Sequence, residues 1–260
     1  MCFSFVRTAP KRPLMSMKRL DQHLVDTGHF ASRARARDAV LRGTISVAGK
    51  ICRKPAQKVS ADTSLEIDDP ASRYVSRAAL KLIEGLNRFG VDPKGEICMD
   101  IGASTGGFTQ VLVERGAEKV HAIDVGHNQL HESLRSHPRV FAQDGRNARD
   151  LTIDHLAGDR PGLLVSDVSF ISLKIALPPS LDLAAPGAEG IFLVKPQFEA
   201  GKDRIGKGGI VAPTVAEETA RELQKWLATV PGWAAGDLIP SPVKGGDGNA
   251  EWLLSGKKTV

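Results

Sequence analysis

From residue 97 onward, short apolar runs alternate with longer amphipathic stretches, and this alternation limits the possible folds of the chain more than any other feature. Two parallel strands need a crossover of about a dozen residues between them, usually a helix. The alternation therefore predicts an α/β fold with a doubly wound parallel sheet. The predicted strands are Ile97–Ile101, Val120–Ile123, Val140–Ala142, Leu163–Val165, Ile191–Val194, Trp233–Ile239 and Glu251–Leu254. The predicted helices are Phe108–Arg115, Asn128–Ser136, Leu173–Leu183 and Thr214–Thr229.

A glycine-rich segment follows the first predicted strand. Residues 102–107 read GASTGG and lead into a predicted helix. Glycines at such a position let the backbone approach a ligand at the N-terminus of a helix. In the dinucleotide pattern G-x-G-x-x-G the second glycine is required, and Ser104 stands there. This departure disfavours a nicotinamide enzyme, which stays an alternative.

Aspartates follow or end three successive predicted strands: Asp100, Asp124 and Asp144. Ligands of doubly wound sheets bind outside the carboxyl ends of the strands. A carboxylate at Asp124 is placed to accept hydrogen bonds from both ribose hydroxyls of an adenosine, and Asp144 could reach the adenine edge. Aspartate is also common in plain turns. Three strands that end alike favour an adenosyl ligand.

The positive charge of the chain is concentrated near its N-terminus. The net charge is +5, yet residues 1–75 hold 14 Lys and Arg against 7 Asp and Glu. The remainder is nearly neutral. A basic segment of this kind favours a polyanionic partner, because each phosphate that is neutralised releases counterions. A solvated basic surface is the alternative.

The basic segment has the pattern of a small α+β domain. An amphipathic helix is predicted over Arg19–Val25, and a second helix over Arg33–Leu41, capped by Ser32 and ended by Gly43. Short β segments are predicted at Thr44–Val47 and Val59–Ile67. The cationic side chains that would contact RNA are Arg19, Arg33, Arg37, Arg42, Lys50, Arg53 and Lys54.

This segment resembles the alpha-L RNA-binding motif of a small-subunit ribosomal protein, pseudouridine synthases and tyrosyl-tRNA synthetases. The matching positions, within residues 18–67, are Arg19, Leu20, Asp21, Ser32, Arg33, Ala36, Gly43, Val47 and Gly49. The resemblance implies binding to structured RNA through shape and phosphates.

The larger part of the chain resembles a family of methyltransferases. Asp100–Phe108 is similar to the S-adenosylmethionine loop of FtsJ-type ribose 2′-O-methyltransferases. With the alpha-L segment in front, the chain from about Met17 resembles the haemolysin-A-like (TlyA-type) rRNA methyltransferases. Other matching stretches are 75–77, 80–82, 166–172, 194–199 and 248–251. Tyr74 departs from the family, which often has tryptophan in the linker, and so does the extension before Met17.

The resemblance implies a domain organisation and a set of site residues. We expect an extension or misassigned start at 1–16, the alpha-L domain at 17–70, a linker at 71–76 and a Rossmann-like class I methyltransferase domain at 77–260. The implied catalytic tetrad is Lys81, Asp167, Lys195 and Glu251. The implied S-adenosylmethionine site is Asp100, Gly102, Ala103, Ser104, Gly106, Gly107, Phe108, Asp124, Asp144 and Asp167.

The implied reaction is 2′-O-methylation of rRNA, with cytidine as the expected target and rRNA or ribosomal subunits as partners. Such a transfer needs no metal, but it needs a base for the ribose hydroxyl, and we expect Lys195 to act as that base. Lys195 and Asp167 also stand out without the resemblance, because each follows a buried strand. Lys81 and Glu251 depend on the resemblance, since a single charged residue is more often a surface charge or a structural ion pair.

Other features exclude or disfavour further classes. Three widely spaced cysteines argue against a disulfide framework and fit the reducing cytosol. No apolar run approaches the length of a membrane helix. His127 and His131 lack a third ligand nearby, so no metal site is expected. A non-catalytic RNA-binding or ribosome-assembly factor and a haemolysin-type membrane-active protein remain as alternatives.

Overall fold

The computed structural model describes residues 17–260, so the predicted extension 1–16 lies outside the described residues. The chain divides into two compact units, with the boundary between Ser72 and Arg73. This boundary falls within the segment 71–76 for which a linker is predicted. Each unit has its own hydrophobic core.

The first unit is a small α+β domain. Its elements are β1 (Lys18–Arg19), α1 (Leu20–Asp26), α2 (Arg33–Arg42), β2 (Ile45–Val47), β3 (Lys50–Ile51), β4 (Lys58–Val59) and β5 (Leu65–Ile67). Ser32 Oγ accepts a hydrogen bond from Arg35 N at the start of α2, and Gly43, with φ of 79°, ends this helix as predicted. β2 lies between β3 and β5 in an antiparallel sheet, and β1 pairs with β4.

The predicted β segment Val59–Ile67 is wrong as a single strand. Its beginning belongs to β4 and its end to β5, and the two strands have different partners. Between them Ser60 N donates a hydrogen bond to Thr63 Oγ1 at 2.9 Å. Serine and threonine side chains that bond nearby backbone groups compete with the strand ladder, and here they form a turn.

The second unit, Arg73–Val260, contains the predicted sheet. Its elements are α3 (Ala79–Phe89), β6 (Ile97–Ile101), α4 (Gly107–Glu114), β7 (Lys119–Ile123), α5 (Glu132–Arg135), β8 (Val140–Gln143), β9 (Leu163–Ser166), α6 (Leu173–Ala176), α7 (Pro178–Leu183), β10 (Glu189–Val194), α8 (Pro196–Glu199), α9 (Pro213–Leu227), β11 (Trp233–Pro240) and β12 (Trp252–Lys258). The strand order is β11-β12-β10-β9-β6-β7-β8. In this sheet β12 runs in the opposite direction to the other six strands.

The order of the strands fixes where a ligand can bind. The chain runs from β6 outward to β8 and then returns to β9 on the other side of β6. The direction of winding therefore changes between β6 and β9. In doubly wound sheets the crevice at this switch point, beyond the carboxyl ends of the strands, holds the ligand.

Both faces of the sheet are covered, and this explains the apolar strands. One face packs with Leu82 of α3 and Phe108 of α4, and the opposite face packs with Leu181 of α7 and Leu223 of α9. Strands buried on both faces are almost continuously hydrophobic, which is why the sequence reveals them.

Two predicted helices differ from the observed ones. The predicted helix Asn128–Ser136 is shorter in the structure, where only α5 is helical. Asn128 has a φ of 54°, which is not helical, and His131 caps the start of α5. The predicted Leu173–Leu183 is divided into α6 and α7, since the prolines that begin α7 lack the N–H groups to continue α6. α3 was not predicted as a helix.

Candidate active site

Three adjoining clefts lie at the carboxyl ends of the central strands. We call them the loop cleft, the wide cleft and the lysine cleft, with volumes of about 130, 510 and 490 Å³. The loop cleft is lined by residues that include Gly102, Ala103, Ser104, Gly107 and Phe108 of the glycine-rich loop, Ser76, Ala78, Asp167, Ser169 and Lys195. The wide cleft is lined by Gly102, Ser104, Asp124, Gln129, Arg146, Asn147, Asp167 and Phe170, among others. The lysine cleft is lined by Lys81, Asp167, Lys195, Glu251, Phe198 and Gln197, among others.

Two glycines of the glycine-rich loop are required because atoms of neighbouring residues lie where a Cβ would stand. Gly102 has a φ of 85°, and a Cβ there would lie 3.0 Å from the Val168 Cα atom. Gly106 has a φ of 98°, and its Cβ would lie 2.4 Å from Leu134 Cδ1. L-residues with side chains rarely adopt this backbone region. The loop thus turns tightly from β6 into α4 and leaves its backbone open to the clefts.

Asp124 organises the mouth of the wide cleft. Its Oδ2 accepts a hydrogen bond from Ser104 N at 2.7 Å, and its Oδ1 accepts one from Gly126 N at 2.7 Å. Each carboxylate oxygen has a second lone pair. Asp124 can therefore hold the glycine-rich loop and still accept hydrogen bonds from a ligand diol.

Asp100 and Asp144 lie outside the walls of the clefts. Asp100 is fully buried and accepts a hydrogen bond from Thr109 Oγ1 at 2.6 Å, and burial raises its pKa to about 7. Asp144 accepts hydrogen bonds from Asn128 N and the Arg135 guanidinium, which hold its pKa below the usual value. Asp100 thus bonds the helix α4, and Asp144 bonds the segment 128–135. Asp144 is predicted to reach the adenine edge of a ligand, but residues 146–148, which follow it in the chain, line the wide cleft instead.

The four residues of the predicted tetrad come together in the lysine cleft as two ion pairs. Lys81 Nζ lies 2.6 Å from Glu251 Oε2, and both side chains are buried. Lys195 Nζ lies 2.6 Å from Asp167 Oδ1, and the side chain of Lys195 is 10% exposed. Burial raises the pKa of Glu251, although the attraction of Lys81 acts in the opposite direction. The desolvation of this carboxylate therefore outweighs its ion pair.

The strand register explains how the tetrad is assembled. Asp167 follows β9 and Lys195 follows β10, so both lie at the carboxyl edge of the parallel sheet. β12 is antiparallel to β10, and Val194 pairs with Trp252. Glu251, just before β12, is thereby brought to the same edge as Lys195. Lys81 reaches the edge from α3, close to the start of this helix.

Several residues at the clefts are not among the predicted site residues, and Ser169, Phe170 and Arg146 are notable for their contacts. Ser169 lines all three clefts, and its Oγ accepts a hydrogen bond from Lys195 Nζ at 2.7 Å. Phe170 has a φ of 64° and is 90% exposed, and its ring centroid lies 5.0 Å from that of Phe198. Arg146 lines the wide cleft, and its buried Nε has no hydrogen-bond partner. Ser169 and Phe170 lie in the stretch 166–172 that resembles the family, but a serine or a phenylalanine in a short loop gives little signal of its own role.

Most of the predicted RNA-binding cations of the first unit are accessible to solvent. Asp21 is buried and accepts hydrogen bonds from both Arg19 and Arg33, which still have half-exposed side chains. Arg37, Lys50 and Lys54 are exposed. Together these five cations remain accessible to a polyanion.

Arg42 and Arg53 hold the first unit together. Arg42 donates hydrogen bonds to the buried carboxylate of Asp69 and to Asp38, and only 18% of its side chain is exposed. Arg53 donates to the carbonyl oxygens of Leu41 and Arg42 at the end of α2. Cations that satisfy helix C-terminal carbonyls stabilise the helix. The proposed RNA contacts of these two arginines thus compete with structural ones.

None of the helices within residues 17–260 is both long enough and apolar enough to cross a membrane. In the same residues, no three His, Cys, Asp or Glu side chains are grouped as metal ligands.

The sheet order, the glycine-rich loop at the switch point and the charged cleft beside it define a Rossmann-like methyltransferase. Residues 74–258 match the family model described as FtsJ-like methyltransferase. The chain belongs to this FtsJ-like methyltransferase family.

Individual relatives match nearly the whole chain. The 16S/23S rRNA (cytidine-2'-O)-methyltransferase TlyA of Mycobacterium tuberculosis is 41% identical over 91% of this chain and 88% of the relative. The protein named Hemolysin A of Brachyspira hyodysenteriae is 37% identical over 90% of this chain and 98% of the relative. A solved structure of a hemolysin-named protein from Streptococcus thermophilus matches with a TM-score of 0.73, at 37% identity, and covers 94% of this chain and 90% of that one.

Proposed function

We propose that the chain methylates the ribose 2′-hydroxyl of cytidine in rRNA, with S-adenosylmethionine as the methyl donor. The observation that carries the proposal is the position of the buried Lys195–Asp167 pair, which lines the lysine cleft beside the glycine-rich loop. The M. tuberculosis relative, named for this reaction on 16S and 23S rRNA, supports the substrate. With rRNA as its substrate, the protein would act on ribosomes in the cytoplasm.

The residues of the wide cleft fit the proposed cofactor. The close approach of Gly102 to Val168 leaves loop backbone, not a side chain, at the wall of this cleft. Asp124 would hold the ribose diol, and Gln129 and Arg146 line the same wall. When bound, S-adenosylmethionine supplies a methyl group on a positively charged sulfur.

The tetrad supplies the proton chemistry and the orientation. A neutral hydroxyl is a poor nucleophile, and a positioned base accelerates its reaction by typically 10²–10⁴-fold. Lys195 is the base in this proposal, and Asp167 holds its amine at the cleft. The Lys81–Glu251 pair would supply an ammonium group beside the ribose. Orienting two bound reactants can supply about 7–11 kcal/mol of the barrier.

The other proposed contacts to RNA are electrostatic and aromatic. The accessible cations of the first unit would bind phosphates and give affinity that falls with salt. Phe170, exposed at the rim of the wide and lysine clefts, would stack on an unpaired base. This contact fits a target nucleotide that leaves its helix.

The test is methylation of rRNA by the purified protein. We expect transfer from labelled S-adenosylmethionine to rRNA that lacks the modification, with 2′-O-methylcytidine as the product in nucleoside mass analysis. Lys195→Ala should abolish transfer while S-adenosylmethionine and RNA still bind. The matched control is Lys225→Ala, because Lys225 is an exposed lysine of α9. The absence of any 2′-O-methylated product with the unaltered protein would contradict the proposed function, and a half-active Lys195→Ala would place the base elsewhere.

A further inference from the structure

The amine of Lys195 is surrounded by oxygens of the protein itself. Its Nζ forms an ion pair with Asp167 Oδ1 at 2.6 Å and donates hydrogen bonds to Ser169 Oγ at 2.7 Å and to the Asp167 carbonyl oxygen at 3.4 Å. An ammonium group has three donors. Lys195 lines the loop and lysine clefts, yet 90% of its side chain is covered, so a substrate can reach only a small part of it.

Ser169 is the accessible neighbour of this buried amine. It is exposed, in contrast to Lys195, and it lines the loop, wide and lysine clefts together. A serine hydroxyl can accept a hydrogen bond and donate one at the same time. Ser169 Oγ therefore lies where the clefts meet, in contact with the base on one side and open to a ligand on the other.

We propose that Ser169 relays the proton of the ribose hydroxyl to Lys195, an inference that rests on the proposed function. In the step, the ribose O–H bond breaks as its proton passes to Ser169 Oγ, and the Ser169 proton passes to the neutral Lys195 amine. The ribose oxygen forms its bond to the methyl carbon as the carbon–sulfur bond breaks. Ser169 ends unchanged, Lys195 ends as an ammonium ion, and S-adenosylhomocysteine leaves.

The relay gives each contact of Ser169 a role. Before the transfer, Ser169 donates to the lone pair of the neutral amine and accepts from the ribose hydroxyl. Afterwards it accepts from the ammonium group, which is the arrangement seen in the structure. Asp167 stabilises the ammonium ion that forms.

The test compares Ser169→Ala with Ser169→Thr in single-turnover methylation of rRNA as a function of pH. If Ser169 serves only as a hydrogen-bond acceptor for Lys195, its loss disfavours the ammonium form of Lys195. The curve of methylation rate against pH then moves to lower pH but reaches the same maximal rate, or plateau. If Ser169 is a relay, its loss lowers the maximal rate itself, which is reached where Lys195 is neutral. We expect a plateau at least tenfold lower in Ser169→Ala and within tenfold of the unaltered protein in Ser169→Thr.

The controls separate the relay from the function on which it rests. Ser136→Ala, at the end of α5 and outside the three clefts, should behave as the unaltered protein. S-adenosylmethionine affinity of Ser169→Ala, measured by calorimetry, should stay within threefold. A Ser169→Ala plateau within tenfold of the unaltered protein, or a threonine variant as slow as the alanine variant, would overturn the relay. No methylation by the unaltered protein would instead refute the proposed function.

Discussion

The buried pair of Lys81 and Glu251 should stabilise the fold less than its geometry suggests. Both side chains are almost fully covered, and the two charged atoms lie 2.6 Å apart. Burial nevertheless raises the pKa of Glu251, so the cost of desolvation exceeds the attraction at this carboxylate. Removing one partner leaves the other charge buried, which typically costs about 3–5 kcal/mol. For a domain of this size we expect Glu251→Ala to lower the melting temperature by about 6–20 °C.

Replacing both partners should give the opposite result. A buried ion pair exchanged for apolar residues of similar volume is often neutral or stabilising by about 1–4 kcal/mol. We expect Lys81→Met with Glu251→Leu to unfold in urea at or above the midpoint of the unaltered protein while methylation is lost. Four proteins complete the cycle: unaltered, each single variant and the double variant. If the double variant loses as much stability as the two single variants added together, the pair is not a coupled unit and the reasoning is wrong.

Three further outcomes follow from contacts in the two units. Gly102→Ala forces a side chain into a backbone with φ of 85° and should lower S-adenosylmethionine affinity at least tenfold by calorimetry, and unchanged affinity would contradict the proposed cofactor site. The pKa of Asp100, raised to about 7, means that the folded state favours the protonated form, so stability should fall by about 2 kcal/mol as pH rises from about 5.5 to 7.5. Urea unfolding should show this decrease in stability in the unaltered protein but not in Asp100→Asn. An equal decrease in both proteins would contradict the role of Asp100. Arg37→Ala should reduce the slope of RNA affinity against salt by about 1 without changing stability, whereas Arg42→Ala should lower the free energy of unfolding by about 1–3 kcal/mol; the reverse pattern would exchange their roles.

The strands and the glycine-rich loop could be predicted because their causes are local. A strand covered on both faces is apolar along its length, and a tight turn into a helix requires glycine. Lys195 and Asp167 could be found for the same reason, since each directly follows such a strand. Their polar character at a buried edge is visible in the sequence itself.

The rest of the site depends on partners distant in the chain. Lys81 and Glu251 are 170 residues apart, and no local pattern distinguishes them from surface charges. The same holds for Arg42, which is predicted to contact RNA and whose structural partner Asp69 lies 27 residues away. Only the fold shows which charges meet.

The pairing of Val194 with Trp252 has a consequence for the evolution of this chain. The ladder, not the intervening stretch of fifty-odd residues, sets the spacing between the amine after β10 and the carboxylate before β12. That stretch can gain or lose residues in its loops without disturbing the spacing. A single deletion inside β12 would shift the carboxylate by about 3.3 Å along the strand and exchange the inward and outward faces of every residue before it.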